Sequence, residues 1–128
     1  MEEPVHLRPA TLDSPAEYAC HVWDYSPSLS RLLLRLTRGD FLEGETRFVI
    51  FSTVRYYSGP MAWKSAEFTF GSLEEISQLF NQIWSEGHPR HGDSDPIDLA
   101  PPQLFLFADT ARILCYSASL YDQDPGPL

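Results

Sequence analysis

The sequence predicts an α+β fold: an antiparallel β-sheet of about five or six strands in a meander, packed against one main α-helix over about 72–86. Three observations carry this. Thr46–Tyr57 is dense in β-branched and aromatic residues, the composition of a pleated, half-buried strand. Ser58–Gly59–Pro60–Met61 then turns the chain into Trp63–Phe70, where Phe68 and Phe70 alternate with Glu67 and Thr69. Gly71–Ser72 is followed by an apolar stripe at helical spacing.

In chain order, residues 1–14 form an arm without periodicity, read as a possible mobile extension. Ala16–Tyr25 reads as a strand whose two faces are poorly separated. A strand there places His21 and Asp24 on opposite faces. Ser26–Pro27–Ser28 is a turn. Leu29–Arg38 fits two patterns. Leu29, Leu32, Leu33 and Leu36 have helical spacing, whereas Leu32, Leu34 and Leu36 alternate with Arg31 and Arg35 as in a strand. The segment is short, bounded by turn residues and followed by a strong strand, so we read it as a strand. Across the polar loop at 39–45, a meander would set Leu34 opposite Ile50 and Leu36 opposite Phe48. Across the turn at 58–61 it would set Ile50 opposite Phe70 and Val54 opposite Ala66. Both registers bury the even-numbered residues of 46–57 and leave Arg31, Arg35 and Arg55 on the other face.

Ser72 and Glu75 have capping-box spacing, in which the hydroxyl and the carboxylate each satisfy an amide of the first turn. Leu73, Ile76, Leu79, Phe80 and Ile83 form the apolar stripe, and Gly87 with Pro89 supplies a stop. His88–Pro102 is a long loop rich in Pro, Asp and Gly. Gln103–Phe107 and Arg112–Tyr121 read as a hairpin, and 122–128 as a Pro/Gly tail. No repeat or domain boundary interrupts 1–128, so a single domain is expected.

The chain has 128 residues and a net charge of −9. Such acidity argues against general nucleic-acid binding. Residues 31–64 nevertheless hold six basic and three acidic residues, a local charge of +3. No apolar run is long enough to cross a membrane, and the first residues lack the pattern of an export signal. A cytoplasmic protein with two reduced cysteines, Cys20 and Cys115, is the expectation.

No nucleophile elbow, phosphate loop, dinucleotide fingerprint or zinc-protease motif is present. No catalytic residue and no cofactor are therefore assigned, and an enzyme is the less favoured reading. Three candidate sites remain. Tyr57, Met61 and Trp63 gather large side chains of the types enriched in protein interfaces around one turn. Arg31, Arg35 and Arg55 carry planar guanidinium groups suited to carboxylate or phosphate. His88, His91, Asp93 and Asp95 lie within eight residues and carry groups that ligate metals, although Pro89 and Gly92 are equally those of a solvated polar loop. The leading expectation is a small acidic, non-enzymatic interaction module whose partner is another protein: an inhibitor, an adaptor or a toxin-neutralising protein of the immunity type. The alternatives are a small anion-binding domain using the arginine-bearing face, and a metal-assisted small enzyme using loop 88–95.

Overall fold

The computed structural model describes residues 5–9, 11–39, 44–85, 102–126 and 128, with the backbone alone at 83–85. It is an α+β fold with two antiparallel sheets and one α-helix. The strands are β1 (Val5–His6), β2 (Ala19–Ser26), β3 (Arg31–Arg38), β4 (Glu45–Ser52), β5 (Tyr56–Ser58), β6 (Ala62–Lys64), β7 (Thr69–Phe70), β8 (Gln103–Phe107), β9 (Ala111–Cys115) and β10 (Ser117–Tyr121). The helix α1 spans Leu73–Ser85. The larger sheet has the order β1-β10-β4-β3-β2-β6 and the smaller β5-β9-β8-β7.

The two sheets are joined by one bent ribbon. β4 pairs with β10 in the first sheet, and β5 pairs with β9 in the second. Ser117 faces Ser52 before the bend and Leu114 faces Tyr56 after it, so residues 53–55 oppose only 115 and 116. That extra residue is the bulge that turns the corner, and Thr53 takes a left-handed φ of 53° there. Two backbone hydrogen bonds hold the bend: the Tyr116 amide donates to the Ser52 carbonyl at 3.2 Å, and the Arg55 amide to that of Leu114 at 2.7 Å.

β2, β3 and β4 form the expected antiparallel meander, but its expected continuation is corrected. Thr46–Tyr57 is not one strand paired with 63–70: it divides at Thr53, and β6 and β7 pair with β2 and β8 instead. Arg112–Tyr121 divides likewise at Tyr116. The β3–β4 register is also one residue from that expected: Leu34 faces Val49 and Leu32 faces Phe51. A one-residue shift inverts a strand. Val49 and Phe51 therefore enter the core, while Phe48 and Ile50 point to the outer face. β4 carries bulky apolar residues at both parities, so its alternation could not choose between the faces.

The core between the sheets is built from Leu32, Leu34, Leu36, Val49 and Phe51 on one side and Phe105, Phe107, Ile113 and Cys115 on the other. Phe51 and Phe105 meet edge to face with ring centres 5.2 Å apart. Burial of each such ring contributes about 1.5–3 kcal/mol. The N-terminal arm enters the same core through Leu7 and Leu12. A polar clasp secures its end. Tyr18 donates to Glu45 at 3.0 Å, and Arg38 pairs with Glu45 at 2.7 Å. The hydrogen bonds from Arg38 and Tyr18 hold the Glu45 carboxyl below its ordinary range.

The second face of the smaller sheet receives α1. Ile76 and Leu79 bury against Leu104 and Leu114, flanked by Tyr56, Phe80 and Leu106. The capping box forms reciprocally: Ser72 Oγ accepts the Glu75 amide and Glu75 Oε1 accepts the Ser72 amide, both at 3.1 Å. Leu73, expected on the apolar stripe, is instead exposed. The stop expected at Gly87 and Pro89 lies outside the described residues.

Candidate functional site

The face of the larger sheet that points away from the core carries the exposed Trp23. A bulge between Val22 and Asp24 shapes it. Up to Val22, β2 alternates regularly, with His21 opposite Arg35 and Val22 opposite Leu34. Beyond the bulge Asp24 stands opposite Leu33. Leu33 and Arg35 share the outer face of β3, so the bulge brings His21 and Asp24 to the same face, contrary to the simple alternation. Trp23 joins them. Its indole lies under the Arg35 guanidinium at 4.6 Å and meets the His21 ring edge to face at 5.7 Å. Trp23 remains 48% exposed.

The same region is a partly open sheet edge. β6 pairs with β2 only over Ala19–His21, and the Val22 amide donates to the Met61 carbonyl at 2.7 Å. Over Asp24–Ser26, β2 pairs with β3 on one side, and no strand among the described residues pairs with the other. The Tyr25 amide is taken by Asp24 Oδ1 at 2.8 Å. Open strand edges recruit further strands, and a carboxylate placed on the edge limits that tendency. Tyr25 is 50% and Met61 62% exposed beside this edge. Gly59 sets the path of the chain into Met61. At φ +147° a Cβ there would lie 2.8 Å from the Thr110 carbonyl and 2.9 Å from Ala111, so no larger residue fits.

The interface candidates chosen from the sequence separate. Met61 is exposed. Tyr57 is half-buried against the core, with its hydroxyl donating to the Pro60 carbonyl. Trp63 is only 8% exposed and packs on Phe107 with ring centres 5.3 Å apart. Trp23 and Tyr25, passed over because β2 shows no clean alternation, hold the exposed positions instead.

The arginine candidates separate too. Arg31 and Arg35 share the outer face of β3 but are four residues apart, about 13 Å along a strand. Arg55 follows the corner bulge, its guanidinium 5.8 Å from the Tyr116 ring centre. These three do not define one anion pocket by backbone position. His88, His91, Asp93 and Asp95 lie outside the described residues. Among the described residues, no group of three or more His, Cys, Asp or Glu side chains is placed to hold a metal ion.

Cys20 and Cys115 are free and buried, and burial pushes both thiols up to about 12. Such thiols are protonated and inert at neutral pH. A cleft of about 470 Å³ lies elsewhere, between the segment 64–69 and the end of β8, with Lys64 and Glu67 as its charged lining residues. It shares no residue with the Trp23 region.

No helix among the described residues is long and apolar enough to cross a membrane. No protein-family model, curated protein or solved structure matches this chain.

Proposed function

We propose that this chain is a small acidic protein-interaction module that binds its partner through the outer face and open edge of β2. The observation that carries the reading is exposed Trp23 with Arg35 stacked on its indole, next to a strand edge along which Tyr25 and Met61 are also exposed. Trp, Tyr and Arg are the residue types that dominate binding hot spots, because each combines a large apolar surface with a directional polar group. The bulge and the β3 ladder fix Trp23 and Arg35 on sheet backbone, so little freedom is lost when a partner covers them. The reading is non-enzymatic, and an inhibitor, an adaptor and a toxin-neutralising protein all fall within it. Two free buried thiols suit a reducing compartment such as the cytoplasm.

The test is quantitative affinity purification from the native host with three versions of the full chain. One protein is expected to be retained in fixed ratio by the unaltered chain and by Leu73→Ala, an exposed control on α1, and lost with Trp23→Ala. Equal retention by all three would overturn the reading.

A further inference from the structure

The cleft between 64–69 and the end of β8 has a cause in the strand pairing. β6 belongs to the larger sheet and β7 to the smaller, so residues 65–68 carry the chain from one to the other. β7 pairs with β8 at Thr69–Leu106 and Phe70–Phe105, and the Gly71 amide donates to the Leu104 carbonyl at 2.8 Å. A continued ladder would set Phe68 opposite Phe107, but the pairing stops at Thr69. Among the described residues, no backbone hydrogen bond joins 65–68 to 107–110. The two chains part like a fork, and the cleft of about 470 Å³ lies between them.

Both branches of the fork are held apart. The Ser65 amide donates to the Tyr18 carbonyl at 2.8 Å and the Ala66 amide to that of Pro15 at 2.9 Å, which ties this branch to the N-terminal arm. On the other branch the Thr110 amide donates to the Phe107 carbonyl at 3.0 Å and closes the turn into β9. Ser65 and Ala108 take left-handed φ values of 77° and 51° at these points. Residues with a Cβ disfavour that conformation, and such strain gathers at ligand sites. The lining combines apolar Pro9, Pro15, Phe68 and Phe107 with the opposite charges of Lys64 and Glu67. Both charged residues are exposed, and neither has an ion-pair partner among the described residues.

We propose that this cleft binds a short free peptide, about two or three residues long, with its α-carboxylate at Lys64, its α-ammonium at Glu67 and an apolar side chain towards Phe68 and Phe107. Unpaired charges of both signs on one wall are complementary to a ligand that carries both. The Cα atoms of Lys64 and Glu67 are three residues apart, at most about 11 Å. The termini of an extended chain of two or three residues lie about 7–11 Å apart, whereas both charges of a single amino acid sit on one Cα. An extended peptide also brings the backbone donors and acceptors that the interrupted ladder lacks. The volume suits a small ligand, for which sites span about 300–1,000 Å³. The site is separate from the Trp23 face and goes beyond the interaction reading.

The test titrates the full chain with alanyl-phenylalanyl-alanine, with its N-acetyl and C-amide forms, and with free phenylalanine. The Trp63 ring packs on Phe107 with centres 5.3 Å apart, so its indole resonance is the reporter. Trp23 does not line the cleft and is the control. The free tripeptide is expected to move the Trp63 signal and leave that of Trp23 fixed. Each cap should raise the half-saturating concentration about threefold or more, the effect of losing one ion pair at a solvated site. Free phenylalanine should bind more weakly than the tripeptide. Glu67→Gln should weaken the free peptide by the same factor and leave the acetylated one unchanged. The capped peptides act on the unaltered chain, so the test does not depend on a variant that folds. No movement of Trp63 at millimolar peptide, movement of Trp23 along with it, or equal half-saturation by free and capped peptides would overturn the inference. Failure here leaves partner binding through Trp23 standing, because the two sites share no residue.

Discussion

Arg35 holds its guanidinium 4.6 Å above the indole ring of Trp23, on a sheet face where the indole is half open to solvent. The contact depends on the β2 bulge, which carries Trp23 and Asp24 to the side of the sheet already occupied by His21 and Arg35. A cation stacked on an exposed ring contributes about 0.5–1 kcal/mol. Its larger consequence is that the ring is held in one place, ready for contact.

Trp23→Ala should therefore cost little stability, about 1 kcal/mol, when unfolding is followed in urea. Arg35→Lys keeps the charge but loses the planar group that lies on the indole. It should behave like Arg35→Ala in partner binding, with native far-ultraviolet circular dichroism in both.

Trp63→Ala should behave in the opposite way. The ring is buried against Phe107, and truncation of a core Trp costs about 3–5 kcal/mol. Urea titration of the two tryptophan variants side by side checks the distinction. Equal destabilisation would mean that Trp23 and Trp63 are not divided between surface and core.

Ser72→Ala should lose about 0.5–2 kcal/mol, since the hydroxyl that accepts the Glu75 amide has no replacement. The loss should be seen in urea unfolding and as faster hydrogen exchange in the first turn of α1.

The capping box shows what local sequence can specify. Ser72 and Glu75 lie three residues apart and satisfy each other's amides without help from the rest of the fold, so their spacing predicts the helix start. Strand character over 45–52 was legible for the same reason, whereas 31–38 fits helical spacing as well and reads as a strand only from its shortness and its flanking turn and strand. The pairing was not. Phe48, Val49, Ile50 and Phe51 are all bulky and apolar, and only the opposing sheet decides that Val49 and Phe51 turn inward. Thr53 and Tyr116 carry no glycine or proline to announce a corner, yet the chain changes sheets at both. The site was obscured by the same kind of feature. Trp23 is a bulge residue, and simple alternation across it assigns Asp24 to the wrong face.

The two buried thiols give a prediction for alkaline pH. Burial raises Cys20 and Cys115 from an ordinary value of 9.0 to about 12 in the folded chain. Between those values the unfolded chain has lost thiol protons that the folded chain retains. Their contribution to stability is therefore complete below pH 9.0 and falls as pH rises towards 12. A Cys20→Ala/Cys115→Ala double variant should show a shallower loss of stability over that interval. At pH 8 neither thiol of the native chain should react with a thiol reagent until denaturant is added.

The most direct measurement of the interaction surface is site-specific photo-crosslinking in the native host. A photoreactive residue is placed at Tyr25, beside the open edge of β2, or at Glu74, on the exposed first turn of α1. Crosslinking from position 25 to one defined protein, absent from position 74 and abolished by Trp23→Ala, is the predicted result. A crosslink of equal yield from both positions, or one from 25 that survives Trp23→Ala, would contradict it.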